Sequence, residues 1–507
     1  KASMQSELIS VSKIFSDCLY RIPDYQRGYS WSEKHLKEFW SDIEQLENGK
    51  NHYTGVITLE EVNKSDLEKW DDDLWIIKSK RYHPYYIVDG QQRLTTIIIF
   101  LQCIIEKLQE DQKVNYTVKE EIKKKFIFES KDNGISRSYI FGYQKDNPSY
   151  EFLKVDIFND SSDKHSAIEH TIYTHNLLNA KKFFLEKLEN ISIQDLEVFY
   201  TKITQNLLFN IYTITEDIDV FVAFETMNNR GKPLSNLEIL KNRLIYLSTK
   251  IISDDEEKTK LREVINESWK CAYHYLGKNT ESILDDNKFL QTHFYLTFSK
   301  TILDNNASKY HYYRYERDEY YKEYLLSKVF HSNNLLKNES EHAPPQLTID
   351  YIYSYTKNLK EFVNTYYQIS NPKDSSFTDR EKIQLERILR LTRRDPSLLI
   401  FGIITKDPSK TSRATLLELL EKAYFINGLS YNQSFEELRS FEFFLKIVSG
   451  EISISQAKST IETSIEHAIK EIDFKSSLAE WGKSKGYYGW KHARYFLFEY
   501  EEFLRSK

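Results

Sequence analysis

Cysteine, proline and glycine are all scarce in this chain of 507 residues. The three cysteines, Cys18, Cys103 and Cys271, are odd in number and far apart, which excludes a disulfide framework and a zinc site of the Cys-x-x-Cys type. We expect the three thiols to be buried. With 14 glycines and 9 prolines, the chain is neither fibrous nor rich in linkers.

Long apolar runs are absent as well. The longest are 97–101 and 398–404, far below the ~20 residues that a membrane helix needs. The chain does not open with a basic segment followed by an apolar segment and a cleavage site, as a secretory signal would. We therefore expect a cytoplasmic protein that makes no membrane contact.

Charge of one sign does not dominate. The formal net charge is −6, from 70 basic and 76 acidic side chains, so no global cationic field attracts the protein to nucleic acid. Any DNA contact must come from a local patch. Apolar residues make up 40% of the chain and aromatic residues 14%, which is enough for sizeable cores, and the length predicts about two domains.

Strand and helix signals alternate over the first 250 residues, whereas the remainder is almost entirely helix-periodic. This change predicts a mixed α+β domain with a small mixed sheet over 4–250 and a helical bundle over 251–507. The first domain begins at Met4, which we expect to be the native start. The strands are expected at 53–59, 85–88, 125–128, 138–144 and 207–215. The helices of the first domain are expected at 33–46, 91–108, 166–188, 218–227 and 237–246. Ser235 and Glu238 predict a capping box before the last of these helices.

The most informative segment runs from Tyr85 to Thr96 and reads Tyr-Tyr-Ile-Val-Asp-Gly-Gln-Gln-Arg-Leu-Thr-Thr. It predicts a strand, a tight turn at Gly90 and a helix, because apolar residues recur at helical spacing from Leu94 onward. Arg93 then lies in the first helical turn, where unpaired N–H groups already carry partial positive charge. A cation is mildly unfavourable there unless an anion joins it.

A phosphate group would satisfy both the helix end and the arginine. Gly90 would let the backbone approach closely, while Gln91 and Gln92 would bind a phosphate or a base. Asp89, at the strand end, is the candidate for holding Mg²⁺ or for positioning a water molecule. The competing interpretation is a glycine turn in which Arg93 pairs with a carboxylate and Asp89 caps the helix. The residues alone leave both open.

A second segment, Arg21 to Trp31, reads Arg-Ile-Pro-Asp-Tyr-Gln-Arg-Gly-Tyr-Ser-Trp. Its proline and glycine predict a loop or edge strand before a helix. Arginines interleaved with aromatic rings suit stacking on a base while contacting phosphate, which would put Tyr25, Tyr29 and Trp31 on a DNA-recognition surface. The alternative is that these rings anchor the loop to the core.

A third segment, Phe224 to Leu234, contains Asn-Asn-Arg-Gly and leads into the helix capped by Ser235. Taken alone it is an ordinary helix end and turn. Its Asn228 and Arg230 are also the kind of side chains that would close over a nucleotide.

In this order and spacing, the three segments resemble the N-terminal domain of the GmrSD-type restriction family, which the phosphorothioate-sensing SspE proteins share. The shared patterns are Ile-Pro-x-Tyr-Gln-Arg-x-Tyr-x-Trp, Asp-Gly-Gln-Gln-Arg-Leu-Thr-Thr and Phe-Glu-x-x-Asn-x-Arg-Gly-x-x-Leu. The strand segment 53–57, with its glycine, is similar as well. In the helical half, 486–490 and 495–500 also resemble the family.

The resemblance implies a ParB- or sulfiredoxin-like fold that binds a nucleoside triphosphate (GTP, ATP or another) with Mg²⁺, and hydrolyses it to regulate attack on modified phage DNA. We assign catalysis to Asp89 and Arg93, with Asp89 also the metal ligand. The nucleotide contacts are assigned to Gln26, Arg27, Gly90, Gln91, Gln92, Thr95, Asn228 and Arg230. The expected partners are DNA, the nucleotide and either a second copy of the chain or a separate effector.

Family members usually carry an HNH nuclease domain after the helical region, and we expect that domain to be missing from this sequence. Ile465-Glu466-His467 lies in a helical pattern rather than in a nuclease motif, and Trp481-Gly482-Lys483-Ser484 lacks the first glycine of a Walker A loop. Two alternatives remain open: a module that binds modified DNA without hydrolysis, and a nuclease that uses the pocket of the first domain.

Overall fold

The computed structural model describes residues 8–23, 26–145, 147, 149–161, 168, 170–214, 234–305, 319–337, 344–406, 410–429, 433–484, 486 and 489–507. The chain forms two compact units, the first made of 1–234 and 241–283 and the second of 235–240 and 284–507. The helix Asp255–Gly277, which the sequence pattern grouped with the helical bundle, is part of the first unit.

A six-stranded mixed sheet organises the first unit. Its strands are β1 (Leu8–Ser10), β2 (Cys18–Ile22), β3 (His52–Glu61), β4 (His83–Asp89), β9 (Phe141–Tyr143) and β10 (Leu207–Ile214). They lie in the spatial order β1-β10-β3-β4-β2-β9. Strand β2 is parallel to both β4 and β9, and β10 is parallel to β3, whereas β3 and β4 are antiparallel. Two short hairpins are formed by β5 (Lys113–Val114) with β6 (Thr117–Val118), and by β7 (Phe128–Lys131) with β8 (Ser136–Tyr139).

Helix α5 (Gln91–Lys107) is the centre of this unit. Every residue from Leu94 to Ile105 is buried, so apolar residues occur on all sides of the helix, as expected when a helix is surrounded by protein. Phe100 stacks on Phe184 of α8 (Ile172–Lys187) with ring centroids 4.6 Å apart. The helices of the first unit are α1 (Val11–Ile14), α2 (Glu33–Gln45), α3 (Lys64–Leu67), α4 (Leu74–Lys80), α5 (Gln91–Lys107), α6 (Lys119–Phe126), α7 (Ser149–Phe152), α8 (Ile172–Lys187), α9 (Ile193–Thr201) and α11 (Asp255–Gly277), with π-helical turns at Leu153–Ile157 and Lys202–Asn206. Helix α10 (Asn236–Lys250) begins in the segment 235–240 of the second unit and belongs to the first unit from residue 241 onward.

The second unit is helical throughout its described residues. Its helices are α12 (Asp286–Thr297), α13 (Ser299–Asp304), α14 (Tyr320–Glu323), α15 (Ile349–Ser370), α16 (Asp379–Leu391), α17 (Leu398–Lys406), α18 (Lys410–Leu429), α19 (Glu436–Arg439), α20 (Phe441–Ser449), α21 (Ile454–Glu471), α22 (Phe474–Ser484) and α23 (Ala493–Arg505), with a π-helical turn at Tyr324–Val329. His467 lies inside a helix, as the apolar spacing around it predicted, and Trp481 lies in the following helix.

The predicted fold class, a small mixed sheet with helices followed by a helical region, is confirmed. The capping box is present, since Ser235 N–H donates to Glu238 Oε2 (2.7 Å) and Glu238 N–H donates to Ser235 Oγ (3.3 Å). The predicted helix 218–227 lies outside the described residues.

Several local predictions were wrong. The strand predicted at 125–128 begins inside a helix, because residues 119–126 are helical and place Ile122 and Phe126 on one buried face. The strand β7 begins only at Phe128. The segment 138–144 is two strands that pair with different partners, β7 and β2. Of the thiols, only Cys103 is buried, while Cys18 and Cys271 are half-buried.

Candidate functional site

The ends of β2 and β4 bring the first two sequence motifs together. The two strands are parallel neighbours, with Arg21 opposite Tyr86, so their carboxyl ends lie at the same edge of the sheet. The loop after Ile22 and the turn after Asp89 therefore begin side by side, although 67 positions separate these two residues in the sequence.

The turn between β4 and α5 requires glycine. Gly90 has φ +89° and is the N-cap residue of α5. A Cβ atom at this position would lie 3.0 Å from the carbonyl oxygen of Val56 and 3.0 Å from Cγ1 of Ile57. The backbone can therefore pass from β4 into α5 against β3 only without a side chain, and the helix N-terminus opens next to Asp89.

Glutamine side chains fasten the first loop to this turn. Gln26 Nε2 donates to the carbonyl of Val88 (2.8 Å), and Gln91 Nε2 donates to the carbonyl of Arg27 (2.6 Å). Gln92 makes two such contacts, donating to the Gly28 carbonyl (3.1 Å) and accepting from the Ser30 N–H (2.8 Å). These amides hold loop backbone, so their first role is to position the loop.

One side-chain oxygen of these glutamines, Gln91 Oε1, accepts no hydrogen bond from the described residues. Gln91 is 5% exposed, and its Oε1 atom is buried without a hydrogen-bond partner among the described residues. The Ser30 hydroxyl is in the same situation. Because buried polar atoms are rarely left unsatisfied in native structures, these two atoms mark places where a ligand or water would bond.

Arg93 lies in the first turn of α5, against the backbone of β3 at Gly55. A Cβ atom on Gly55 would overlap the guanidinium Nη1 atom and lie 3.0 Å from Cζ. Gly55 also has φ +139°, and the pairing of β3 with β10 is irregular at this point, where Tyr53 faces Leu208 but Gly55 faces Phe209. The strand thus forms a bulge at Gly55, and because glycine has no side chain, there is room for the guanidinium.

The electrostatics of Arg93 are unusual for an arginine. Burial lowers the pKa of its guanidinium, and the nearby Asp89 and Tyr53 oppose this shift only in part. Asn210 of β10 reaches the same cluster, with its Nδ2 atom 3.5 Å from the Tyr53 hydroxyl. A partly desolvated cation at the positive end of a helix is an anion-binding arrangement.

Two aromatic rings of the first loop, Tyr29 and Trp31, lie within the described residues. Tyr29 is fully buried, its hydroxyl lies 2.8 Å from Thr96 Oγ1, and burial raises its pKa. This ring cannot stack on a base in the present conformation. Trp31 is half-buried and stacks on His35 at a centroid distance of 5.9 Å. The structure thus makes Tyr29 an anchor of the loop, which was the alternative interpretation.

The remaining predicted site residues divide into two groups. Thr95 is fully buried, and its hydroxyl donates to the Gln91 carbonyl (2.7 Å), so it supports the first turn of α5 from inside. Tyr25, Asn228 and Arg230 lie outside the described residues. Tyr53 and Asn210 were not predicted as site residues. The one signal in the sequence was the glycine inside a strand pattern, which indicates that another group approaches β3 closely.

No cluster of three or more histidine, cysteine, aspartate or glutamate side chains suited to a metal ion occurs in the described parts of the chain. Two cavities, of about 290 Å³ beside Tyr424 and about 530 Å³ beside Trp40, contain none of the motif residues in their walls. The choice of site therefore rests on the contacts around Arg93.

Residues 6–245 match a family model described as GmrSD restriction endonuclease, N-terminal domain. The match includes all three sequence motifs and all six strands of the mixed sheet. No curated protein matches the chain. None of the helices within the described ranges combines the length and the apolar composition needed to cross a membrane.

Proposed function

We propose that this chain, whose residues 6–245 match the N-terminal domain of the GmrSD restriction endonucleases, has a role in DNA restriction and binds a nucleoside triphosphate at the turn between β4 and α5. Hydrolysis of that nucleotide regulates attack on modified DNA. The partners in this proposal are the nucleotide with Mg²⁺, the modified DNA, and a second copy of the chain or a separate effector.

The observation that carries the proposal is the position of Arg93. Its guanidinium lies over a strand glycine, next to the N-terminal end of α5. A phosphate placed here would receive charge-assisted hydrogen bonds from the guanidinium and contacts from the first N–H groups of the helix. It would also offset the desolvation that lowers the pKa of Arg93.

The surrounding residues fit a nucleotide. Two buried polar atoms, Gln91 Oε1 and Ser30 Oγ, have no hydrogen-bond partner among the described residues, and hydroxyl or amino groups of a ribose or base are suitable partners. The loop that carries Gln26 and Arg27 is held beside the turn by Gln91 and Gln92. Binding would therefore find residues 26–30 already held in position, which reduces its entropic cost.

The metal would depend on the nucleotide. Asp89 is the one motif carboxylate at this turn, and Mg²⁺ is commonly held by one or two carboxylates together with phosphate oxygens and water. When bound, the ion would neutralise phosphate charge. In this proposal Asp89 orients the metal or the attacking water, and Arg93 neutralises charge on the transferred group.

The test is phosphate release from ATP, GTP, CTP and UTP with Mg²⁺, with and without DNA. We expect at least one nucleotide to be hydrolysed, and Asp89→Asn to remove hydrolysis while nucleotide binding persists. Binding without phosphate release would favour a module that senses modified DNA. Absence of both binding and release overturns the proposal, and plasmid nicking that depends on Asp89 would favour a nuclease.

A further inference from the structure

A basic surface lies at the other end of β4 from Arg93. The segments 74–82 and 119–137, which form α4, α6 and the β7–β8 hairpin, contain nine basic and four acidic side chains, a net charge of +5. The whole chain carries −6. We define the basic surface by five side chains that are all exposed: Lys78, Lys80, Arg81, Lys124 and Lys131.

A single buried carboxylate organises this surface. Glu129 of β7 is 4% exposed, forms an ion pair with Lys80, lies 3.7 Å from the Lys124 ammonium and accepts from the Tyr82 hydroxyl (3.0 Å). Although burial alone would raise the pKa of Glu129, the hydrogen bonds from Lys80 and Tyr82 lower it. The carboxylate is thus ionised and brings the C-terminal ends of α4 and α6 together.

The other three cations of the surface have no such compensation. Among the described residues, Lys78, Arg81 and Lys131 make no ion pair, since no carboxylate oxygen lies within 4 Å of them. Lysines at the C-terminal end of a helix offset its dipole, which accounts for Lys78. That explanation does not apply to Lys131, which is on a strand, with its ammonium 5.3 Å from the ring of Trp75.

We propose that this basic surface binds the backbone phosphates of duplex DNA. Because the whole chain is acidic, it can bind DNA only through a local cluster of exposed cations. The basic surface is such a cluster, and three of its cations have no carboxylate partner among the described residues. The proposal rests on the restriction role of the domain and is independent of nucleotide binding. Strand β4 has seven residues, so at about 3.3 Å per residue the surface and Arg93 are roughly 20 Å apart.

The test compares two variants that each lose three positive charges. The first carries Lys78→Gln, Arg81→Asn and Lys131→Gln, with asparagine at 81 because that residue has φ +57° and asparagine tolerates left-handed backbone. The matched control carries Lys50→Gln, Lys113→Gln and Lys182→Gln, which are exposed, make no ion pair among the described residues and lie elsewhere in the same unit.

Fluorescence anisotropy with a labelled duplex, measured from low to physiological salt, gives the affinity and its salt dependence. If each cation contacts one phosphate, the slope of log K against log salt should become shallower by about 2.7 in the first variant, at about 0.9 per contact. The control should keep the wild-type slope. Lys131→Gln alone should change the slope by about 0.9 and serves if the triple variant does not fold.

Equal slopes for both triple variants would overturn the proposal, as would the absence of DNA binding by the wild-type chain at low salt. Loss of binding to anionic vesicles or RNA with unchanged DNA binding would overturn it as well. Nucleotide binding, measured on the same samples, should not change. If the wild-type chain does not bind nucleotide at all, the proposed function is refuted, but the proposal that the basic surface binds DNA is not affected.

Discussion

Gly55→Ala should weaken nucleotide binding by displacing the Arg93 guanidinium, although the substitution replaces no charged residue. A Cβ atom at this position would overlap the guanidinium, so the end of the arginine must move away. If its contact with phosphate is a charge-assisted hydrogen bond of ~1.5–3 kcal/mol, affinity should fall about ten- to a hundredfold.

The same substitution also strains the backbone, because φ at Gly55 is +139°. That strain should reduce the free energy of unfolding by about 1–3 kcal/mol. Gly49→Ala is the matched control, since Gly49 has φ +78° but no atom within 4 Å of the added Cβ. The control should lose about 1–2 kcal/mol of stability and keep its nucleotide affinity.

The assay is isothermal titration with nucleotide and Mg²⁺, alongside chemical denaturation of each variant. Affinity that falls for Gly55→Ala but not for Gly49→Ala supports the geometry. Wild-type affinity in both variants, or a loss of affinity in both that follows their loss of stability, would exclude a role of the Arg93 position in nucleotide binding.

Three further predictions concern the described core. Tyr29→Phe should reduce stability by about 0.5–1.5 kcal/mol by removing the hydrogen bond to Thr96, as measured by denaturation, and a selective loss of DNA binding at full stability would contradict the anchor role. Asp73→Ala should reduce stability by about 3–5 kcal/mol, because it strands the buried Arg21 guanidinium, now 2.7 Å from Asp73; a loss below about 1 kcal/mol would be inconsistent with that pair. Burial lowers the pKa of His293 to about 4, so below about pH 6.5 the unfolded chain binds a proton that the folded chain does not. Stability should therefore fall by up to about 3 kcal/mol between pH 6.5 and 4, and an equal fall in His293→Gln would contradict this origin.

Periodicity in the sequence located most long elements, because each depends on residues close together in the chain. Helix α5 and strand β10 were predicted almost to their ends. Strand β2 was missed, although it lies inside the sheet between β4 and β9. It contains Arg21, and arginine is usually an exposed residue. In the structure Arg21 is buried and pairs with Asp73, which is 52 positions away in the sequence.

The roles of the two glutamines could not be predicted for a similar reason. The sequence correctly indicates that Gln91 and Gln92 begin a helix, but a glutamine there suits a ligand as well as a protein carbonyl. The choice depends on the parallel pairing of β2 with β4, which brings a loop more than 60 positions away onto the turn. At Gly55 the sequence does carry a signal, because a glycine inside a strand indicates that another group approaches closely. It does not show that this group is the side chain of Arg93.

The proposed function requires that the Arg93 guanidinium binds a phosphate, so Arg93→Ala should abolish nucleotide binding. Lys34→Ala is the matched control, because Lys34 lies in the first turn of α2 and is largely exposed. Removing a cation from the positive end of a helix should leave the apo protein unchanged or slightly more stable in both variants.

The decisive measurement is the melting temperature of these variants with and without nucleoside triphosphate and Mg²⁺. We predict a wild-type-like apo value for Arg93→Ala with the ligand-induced rise abolished, while Lys34→Ala keeps that rise. An apo value that collapses, as expected when a buried ion pair loses one partner at ~3–5 kcal/mol, would contradict the account, and so would a full ligand-induced rise in Arg93→Ala.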